Sequence, residues 1–389
     1  MIRNVKVYPW FNSNGLLTVM AKIWTNSGFY TASVPSGTSK GEKEVANLPI
    51  EKLNDVMPSI KKALIGLDER NWEDIDSFLR QMDGTENLRK IGGNVILAIS
   101  LAAARACYEN ELWRMNKKAI NLFPYPMGNI IGGGAHGGNT TWQEFLVIPY
   151  KAKDPIEASK TNVDVWKYLR DELKKKNQFV DRNIENALIT TLDEENTLDL
   201  MAKIAEDWKL KLGVDLAASS FWDGKKYVYK SGKSLTTEQQ INYIIDTAKK
   251  YNLYLIEDPL HQNDFEGFAT LTHELKGRMI VGDDLLCTNP ERMKTAVEMR
   301  SVNAVIVKPN QIGSLVLAND FVNIAKENNI SIIMSHRSTD TEDTWLSELS
   351  IVWEAVFIKI GVLGYDVPKH NKLIELWNDL PNPKMAALL

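Results

Sequence analysis

The chain is poor in sulfur, has no long apolar run and carries no excess of either charge. Of its 389 residues only Cys107 and Cys287 are cysteine, and neither sits in a CxxC pair or a His-rich stretch. That excludes a disulfide-stapled scaffold and a thiolate zinc site, and it points to free thiols in a reducing, cytoplasmic setting. The longest apolar stretch, Val95–Ala104, is about half of what a bilayer crossing requires. The opening MIRNVKVYPW has no apolar core of the kind that directs export. With 46 basic against 50 acidic side chains the net charge is −4, so no basic footprint for DNA or RNA exists. The Lys174–Lys176 run reads as a solvated helix end. Low-complexity segments and short repeats are absent. What is left is a soluble globular chain, 44% hydrophobic and 25% charged, long enough for two domains.

Six short β-like runs stand out in the second half: LGVDL, LYLIEDPL, MIVGDDLL, AVIVKPNQ, SIIMSHRS and AVFIKIG. Each ends in a polar residue: Asp215, Glu257, Asp283, Lys308, His336 and Lys359. After a first gap of 42 positions the steps are 26, 25, 28 and 23, the length of one strand and one returning helix. Repetition of strand, polar tip and helix predicts a β/α barrel whose site gathers at the C-terminal strand ends. Thr236 or Thr237 caps one of the helices, Asn289 caps and Pro290 opens another, and helices over Leu315–Asn328 and Thr344–Glu354 complete the alternation.

The first part differs in kind. Ile2–Tyr8, Leu16–Trp24 and Phe29–Val34 read as strands, followed by the Gly/Ser stretch Pro35–Glu42 and helices near Ile50–Leu64, Asn71–Met82 and Asn94–Glu111. This predicts an N-terminal α+β capping domain over residues 1–122 and a C-terminal barrel over 123–389, with FPYP at Phe123–Pro126 as the joint. A glycine-dense segment, Asn129–Thr141, precedes a strand at Phe145–Pro149 and a long helix from Asp154 to Lys176. The tail from Asn378 onward carries no clear pattern.

The strand tips suggest chemistry. One acid at a strand end is usually solvated or paired with a base, but three on neighbouring strands converge and repel unless a cation neutralises them. An all-oxygen set suits magnesium better than zinc. Lys308 follows four apolar residues; in a partly dry cavity near a metal its pKa is expected to fall, which suits a general base. The plainer reading is an ion pair with one of the acids. Lys359 faces the same mouth, and two lysines opposite three acids suggest an anionic substrate. Arg337 with Ser338 makes a phosphate clamp, His136 lies in the glycine loop, and Gln143–Glu144 can point inward from the start of a strand.

These motifs resemble those of the enolase family over most of the chain. ASVPSGTS is similar to the family's substrate loop, GGNVILAISLAAARA to its buried helix, and NIIGGGAHGGNTTWQEF to its histidine loop. IEDPL, GDDL, KPNQIGS, MSHRSTDTED and IKIG follow in the family's order. The resemblance implies an enolase-type modified barrel. It also implies the dehydration of 2-phospho-D-glycerate to phosphoenolpyruvate through a metal-stabilised enediolate, with two Mg²⁺ per site, the second arriving with substrate. Carried over by position, Asp215, Glu257 and Asp283 match the metal ligands and Ser39 the loop serine on the second metal. Lys308 matches the base, Lys359 the holder of the substrate carboxylate, and Arg337 and Ser338 the phosphate contacts. His136, Gln143, Glu144 and His336 match the polar lining that positions substrate and leaving group. A small phosphorylated carboxylate is the implied partner, and a homo-oligomer, dimer or higher, the implied assembly.

The sequence departs from the family pattern in three places. The family's acid sits in a DEG loop followed by glycines. Here TLDEENTLDL aligns, making Glu194 the expected acid, with Glu195 and Asn196 in place of glycines and a shorter loop after them. In the N-terminal hairpin, Asn14 and Met20 replace the arginine and glutamate of the usual dimer contact. The segment GVLGYDVPKHN lacks the family's basic-serine-arginine run. The shortened acid loop motivates a second reading, a paralogue that forms the enediolate and uses it elsewhere, for example in attack on a phosphonate or carboxyl donor in phosphonate biosynthesis. A third, a non-catalytic binding protein on the same fold, runs against the intact Lys308 and three acids.

Overall fold

The computed structural model describes residues 1–37, 41–118 and 121–388. The N-terminal part is an antiparallel meander of β1 (Asn4–Phe11), β2 (Leu17–Trp24) and β3 (Phe29–Ser33). In β1, Val5 and Val7 point inward and their neighbours outward, as a half-buried strand requires. Three helices cover that face: α1 (Leu53–Leu64), α2 (Trp72–Asp83) and α3 (Gly93–Cys107). Helix α1 buries Leu53, Met57, Ile60 and Leu64, one stripe of a 3.6-residue period. Helix α3 is buried on nearly every side, because it lies between the sheet, α2 and the barrel.

The remainder closes an eight-stranded barrel. In chain order the strands are Tyr125–Gly132, Glu144–Ile148, Lys211–Asp215, Leu253–Glu257, Met279–Gly282, Ala304–Val307, Ser331–Ser335 and Phe357–Ile360. They pair in sequence, and the eighth closes on the first through Phe357↔Tyr125 and Lys359↔Met127. The second strand runs antiparallel to both neighbours, with Gly128↔Val147 on one side and Glu144↔Asp215 on the other. Its link to the first is the glycine-dense segment 133–143, too short for a helical crossover, so the pair is a hairpin. The reversal brings the start of this strand, Gln143–Glu144, to the mouth where the other strands end.

Helices flank the strands as the alternation predicts. Thr236 forms a capping box with Gln239, and Asn289 accepts from the amides of Glu291 and Arg292. A small hairpin, Phe179–Arg182 with Leu188–Thr190, extends the sheet beside the first barrel strand. The C-terminal segment is more ordered than its sequence suggests. A helix covers Val367–Asp379, and Pro383–Met385 pairs in parallel with Asn121–Phe123.

Two buried carboxylates fasten the N-terminal layer to the barrel. Asp76 on α2 accepts from Ser100, from the Ser314 hydroxyl at 2.6 Å and from the Leu315 amide at 2.9 Å, so it caps a barrel helix from outside. Asp343 receives both outer nitrogens of Arg105 on α3, at 2.6 and 3.0 Å, and the Ser33 amide at 2.9 Å. Between them Gly93 and Gly313 touch backbone to backbone: a Cβ on Gly313, whose φ is +67°, would lie 2.5 Å from the Gly93 Cα.

Candidate active site

Strand periodicity puts the polar tips inside the barrel. Leu146, Leu255, Val281, Ile306, Ile333 and Phe357 belong to the apolar filling of its interior. Side chains two residues on, or two before in the reversed second strand, share that face. These positions are Glu144, Glu257, Asp283, Lys308, Ser335 and Lys359. Register aligns them further: Glu144 pairs with Asp215 and Asp215 with Glu257, one row across three adjacent strands. The row opens into a cavity of about 300 Å³ lined by Glu44, His136, Gln143, Glu144, Glu185, Asp215, Asp258, Asp283, Lys308, Gln311, His336, Arg337, Ser338 and Lys359, among others.

The charges are paired closely. The Lys359 ammonium lies 2.9 Å from Asp215, 2.9 Å from Glu257 and 3.0 Å from Glu144. Lys308 donates to Asp283, whose other oxygen accepts from Gln311 at 2.9 Å. Burial alone lowers a lysine, yet both ammoniums are raised, Lys308 by Asp283 and Lys359 by Asp215, Glu144 and Glu257. The expected fall at Lys308 is therefore reversed in this structure, because an ionised carboxylate stands directly against it. The acids outnumber these cations. Burial pushes Glu144 up to about 8, and burial with Asp283 pushes Asp284 up to about 7. Glu257 and Asp258 rise well above the carboxylate range through burial and their acidic neighbours. Asp283, by contrast, is held low, by Lys308 against the pull of burial.

The other expected residues divide. His336, Arg337, Ser338, His136 and Gln143 line the cavity. Arg337 forms a two-pronged pair with Glu44 at 3.0 and 3.1 Å, and its guanidinium fills the space a Cβ on Gly37 would need. Among the described residues, neither ring nitrogen of His136 has a hydrogen-bond partner, and Glu185 lies 3.7 Å from its Nδ1. Ser39 lies outside the described residues.

Glu194 does not reach the cavity. Asp193 caps the helix Glu194–Asp207, and Glu194 opens it. Its carboxylate accepts from the Thr141 amide and faces a separate cavity lined by Tyr229, Tyr243 and Tyr251. The DEEN motif is thus a helix start, Asp followed three residues later by the amide it caps. A carboxylate that the sequence reading did not anticipate, Glu185 in the small hairpin, does line the cavity. It is buried, accepts from Asn129 at 3.0 Å, and lies below its usual range because His136, His336 and Lys359 outweigh burial. The sequence carried a partial signal, since FVDR and LIT are β-like runs around the Asn-rich NIENA; in the structure Asn186 adopts φ +63°, where a glycine commonly stands.

Residues 2–115 match the family model described as the N-terminal domain of enolase, and residues 120–386 that of the C-terminal TIM barrel domain of enolase. The chain belongs to the enolase family. The enolase of Archaeoglobus fulgidus is 38% identical over 400 residues, covering 100% of both chains. The enolase of Methanothermobacter thermautotrophicus is 38% identical over 100% of this chain and 99% of its own. That of Picrophilus torridus is 35% identical over 97% and 99%. All three carry the name enolase, and no observation favours a diverted reaction.

Enolase membership implies a divalent metal, and the donor set fits one. Among the described residues, two sets have ligand atoms within 4.8 Å of one another: Asp258, Asp283 and Asp284; and His136, Glu144 and Glu185. The expected trio of Asp215, Glu257 and Asp283 is not such a set, since Lys359 stands against the first two and Lys308 against the third. Yet among the described residues Glu257 keeps one buried oxygen with no hydrogen-bond partner, and burial with acidic neighbours raises Glu257 and Asp258 well above the carboxylate range. Buried oxygens short of positive charge are what a hard cation satisfies. No helix among the described residues is long and apolar enough to cross a membrane.

Proposed function

We propose that this chain runs the reversible dehydration of 2-phospho-D-glycerate to phosphoenolpyruvate with Lys308 as the base and the Glu144–Glu185 pair as the acid. The observation that carries the reading is one buried cavity holding Lys308, both glutamates and the Arg337–Ser338 clamp together with a row of carboxylates. Lys308 Nζ takes the proton from carbon 2. Lys359 holds the substrate carboxylate, and the phosphoryl group goes to Arg337 and Ser338, displacing Glu44 from the guanidinium fork. Glu144 and Glu185 each place a carboxylate oxygen within 4.8 Å of the other, and their environments push their proton affinities apart, Glu144 up and Glu185 down. Such a split suits one group to hold the proton and its neighbour to pass it. In dehydration the pair protonates the departing carbon-3 hydroxyl; in the reverse direction Glu185 takes a proton from the attacking water. His136 and His336 orient the anion.

Two Mg²⁺ per site, the first on Asp215, Glu257 and Asp283 and the second with Ser39, complete the proposal. Bound there, they would polarise the substrate carboxylate and, by taking up the charge of Asp283, remove the partner that keeps Lys308 protonated. Exposed Phe11, Leu16 and Leu17 at the N-terminal hairpin support self-association, and two free cysteines support a reducing cytoplasm. The test is a coupled assay for phosphoenolpyruvate with excess Mg²⁺, together with carbon-2 hydrogen exchange in deuterated water. Formation of phosphoenolpyruvate is expected. Exchange without product would reject the acid, and neither signal would reject the reading as a whole.

A further inference from the structure

Behind the cavity wall lies a fully buried charged cluster that the chemistry above does not use. Asp366 accepts from His336 Nδ1 at 2.6 Å and from the Gly361 amide at 2.8 Å. Lys369 Nζ lies 3.0 Å from Asp366 and 3.4 Å from Asp340, and it donates to the Thr341 carbonyl at 2.9 Å. His336, Asp366 and Lys369 expose 4%, 0% and 1% of their side chains, so solvent does not screen these pairs. Tyr365 stacks on the imidazole at 6.5 Å with its ring 19° from parallel, and its hydroxyl donates to the Ser338 carbonyl at 3.1 Å. The ring is therefore held at one nitrogen and on one face, and the same segment reaches the backbone of the phosphate clamp.

We propose that Asp366, braced by Lys369, is a positioning residue that fixes His336 as an imidazolium with Nδ1–H directed at its carboxylate and Nε2–H turned to the cavity, so that His336 meets the substrate as a preset donor to its anionic end. A lysine and an aspartate buried this deeply cost several kcal/mol to desolvate, and a lone structural pair would not need to end on an active-site ring. A carboxylate behind an imidazole sets which nitrogen carries the proton and how the ring points. The surroundings agree. Burial lowers His336, but Asp366 outweighs it and the ring is raised. The groups facing the ring are Asp366, Tyr365, Lys369 and His370 from the C-terminal helix region, Asp340 from the loop after its own strand, and Glu185 from the hairpin. Lys359 is its neighbour on the eighth strand. Asp366 is the one carboxylate among them hydrogen-bonded to the imidazole.

The inference rests on the enolase reading, and its test separates the two. Turnover of 2-phosphoglycerate by the unaltered protein is measured first, and its absence strikes the functional reading alone. The positioning claim is then read without turnover, by nitrogen NMR of the imidazoles. With five histidines in the chain, the His336 signal is assigned by its loss in His336→Gln. In the unaltered protein Nδ1 should carry a proton across about pH 6 to 8. In Asp366→Asn the His336 titration should move down by about one unit or more, so that KM rises roughly tenfold at the alkaline end and little at the acid end, with kcat less affected. Asp366→Glu should restore part of the shift. A folded Asp366→Asn protein whose His336 titration and KM profile match the unaltered one would overturn the proposal. Should that variant not fold, an Nδ1 found without a proton in the unaltered protein would overturn it equally.

Discussion

Exchanging Glu185 for glutamine tests which carboxylate delivers the proton. The substitution keeps the volume of a buried side chain and an oxygen for the Asn129 amide, but removes the group that ionises. A positioned general acid contributes about 10²–10⁴ in rate, or roughly 2.7–5.4 kcal/mol at about 1.36 kcal/mol per decade. Dehydration by Glu185→Gln should fall by that factor. Carbon-2 exchange, which the proposed reading assigns to Lys308, should stay within about tenfold of the unaltered rate, since on that reading the two residues act on different bonds. Glu194→Gln is the control. Its carboxylate accepts one buried amide, from Thr141, outside the cavity. A glutamine oxygen can still accept there, so the expected cost is about 1 kcal/mol of stability, with dehydration within about threefold. Product formation is followed by the coupled assay and exchange by proton NMR on the same samples. If Glu194→Gln loses about a hundredfold or more while Glu185→Gln does not, the hairpin carboxylate is not the acid and the geometric argument fails.

Three further outcomes follow from the structure. Asp343 is held below the usual carboxylate range, Arg105 outweighing burial. Its stabilising contribution is therefore complete above about pH 3.9 and is lost as pH falls through the lower folded value. Asp343→Asn should cost about 3–5 kcal/mol near neutral pH by leaving Arg105 buried beside a neutral amide, and should flatten the acid limb of stability measured by denaturant titration. Saturating Mg²⁺ at about a hundred times its Kd should add about 2.7 kcal/mol to folding; chelation should reverse the rise in Tm and abolish activity, and a Tm indifferent to both would remove the metal from the acidic row. Gly37→Ala places a Cβ where the Arg337 guanidinium lies; KM for 2-phosphoglycerate should rise about tenfold or more with thermal stability little changed, and an unchanged KM would separate Gly37 from the phosphate clamp.

The barrel was legible because strand periodicity and helix length repeat together. Leu255 and Glu257, or Ile306 and Lys308, set an apolar core residue and a polar strand tip on one face in one alternation. The reversed second strand was only half visible: Gln143–Glu144 could be expected to point inward, but the antiparallel register that brings Glu144 beside Asp215 is a matter of tertiary closure. Glu185 was missed because DEEN offered a closer letter match than NIEN. Letters alone do not tell a helix cap from a turn at the cavity; the structure does, through the Asp193 cap on one side and the placement of Glu185 in the cavity lining on the other. The tail after Asn378 has too few residues for any period to show, and its strand exists because Asn121–Phe123 offers an edge.

The lysines explain how so acidic a mouth folds at all. Glu144, Asp215, Glu257 and Asp283 are placed by strand register, which the barrel cannot relax without losing its apolar filling. Lys359 and Lys308 reach them from the eighth and sixth strands and neutralise part of that charge without a metal. On the proposed reading, a base that serves as counter-ion in the resting protein is released only when another cation takes its place, which would tie proton abstraction and metal binding to the same carboxylate. Asp283→Asn should therefore do two things at once: weaken the metal, and free Lys308 from the pair that keeps it charged. Carbon-2 exchange should then lose most of its rate while its alkaline dependence moves to lower pH, because burial, no longer opposed by Asp283, pulls the Lys308 ammonium down. A variant that lost metal affinity but kept its pH profile would show that Lys308 is governed by something other than Asp283.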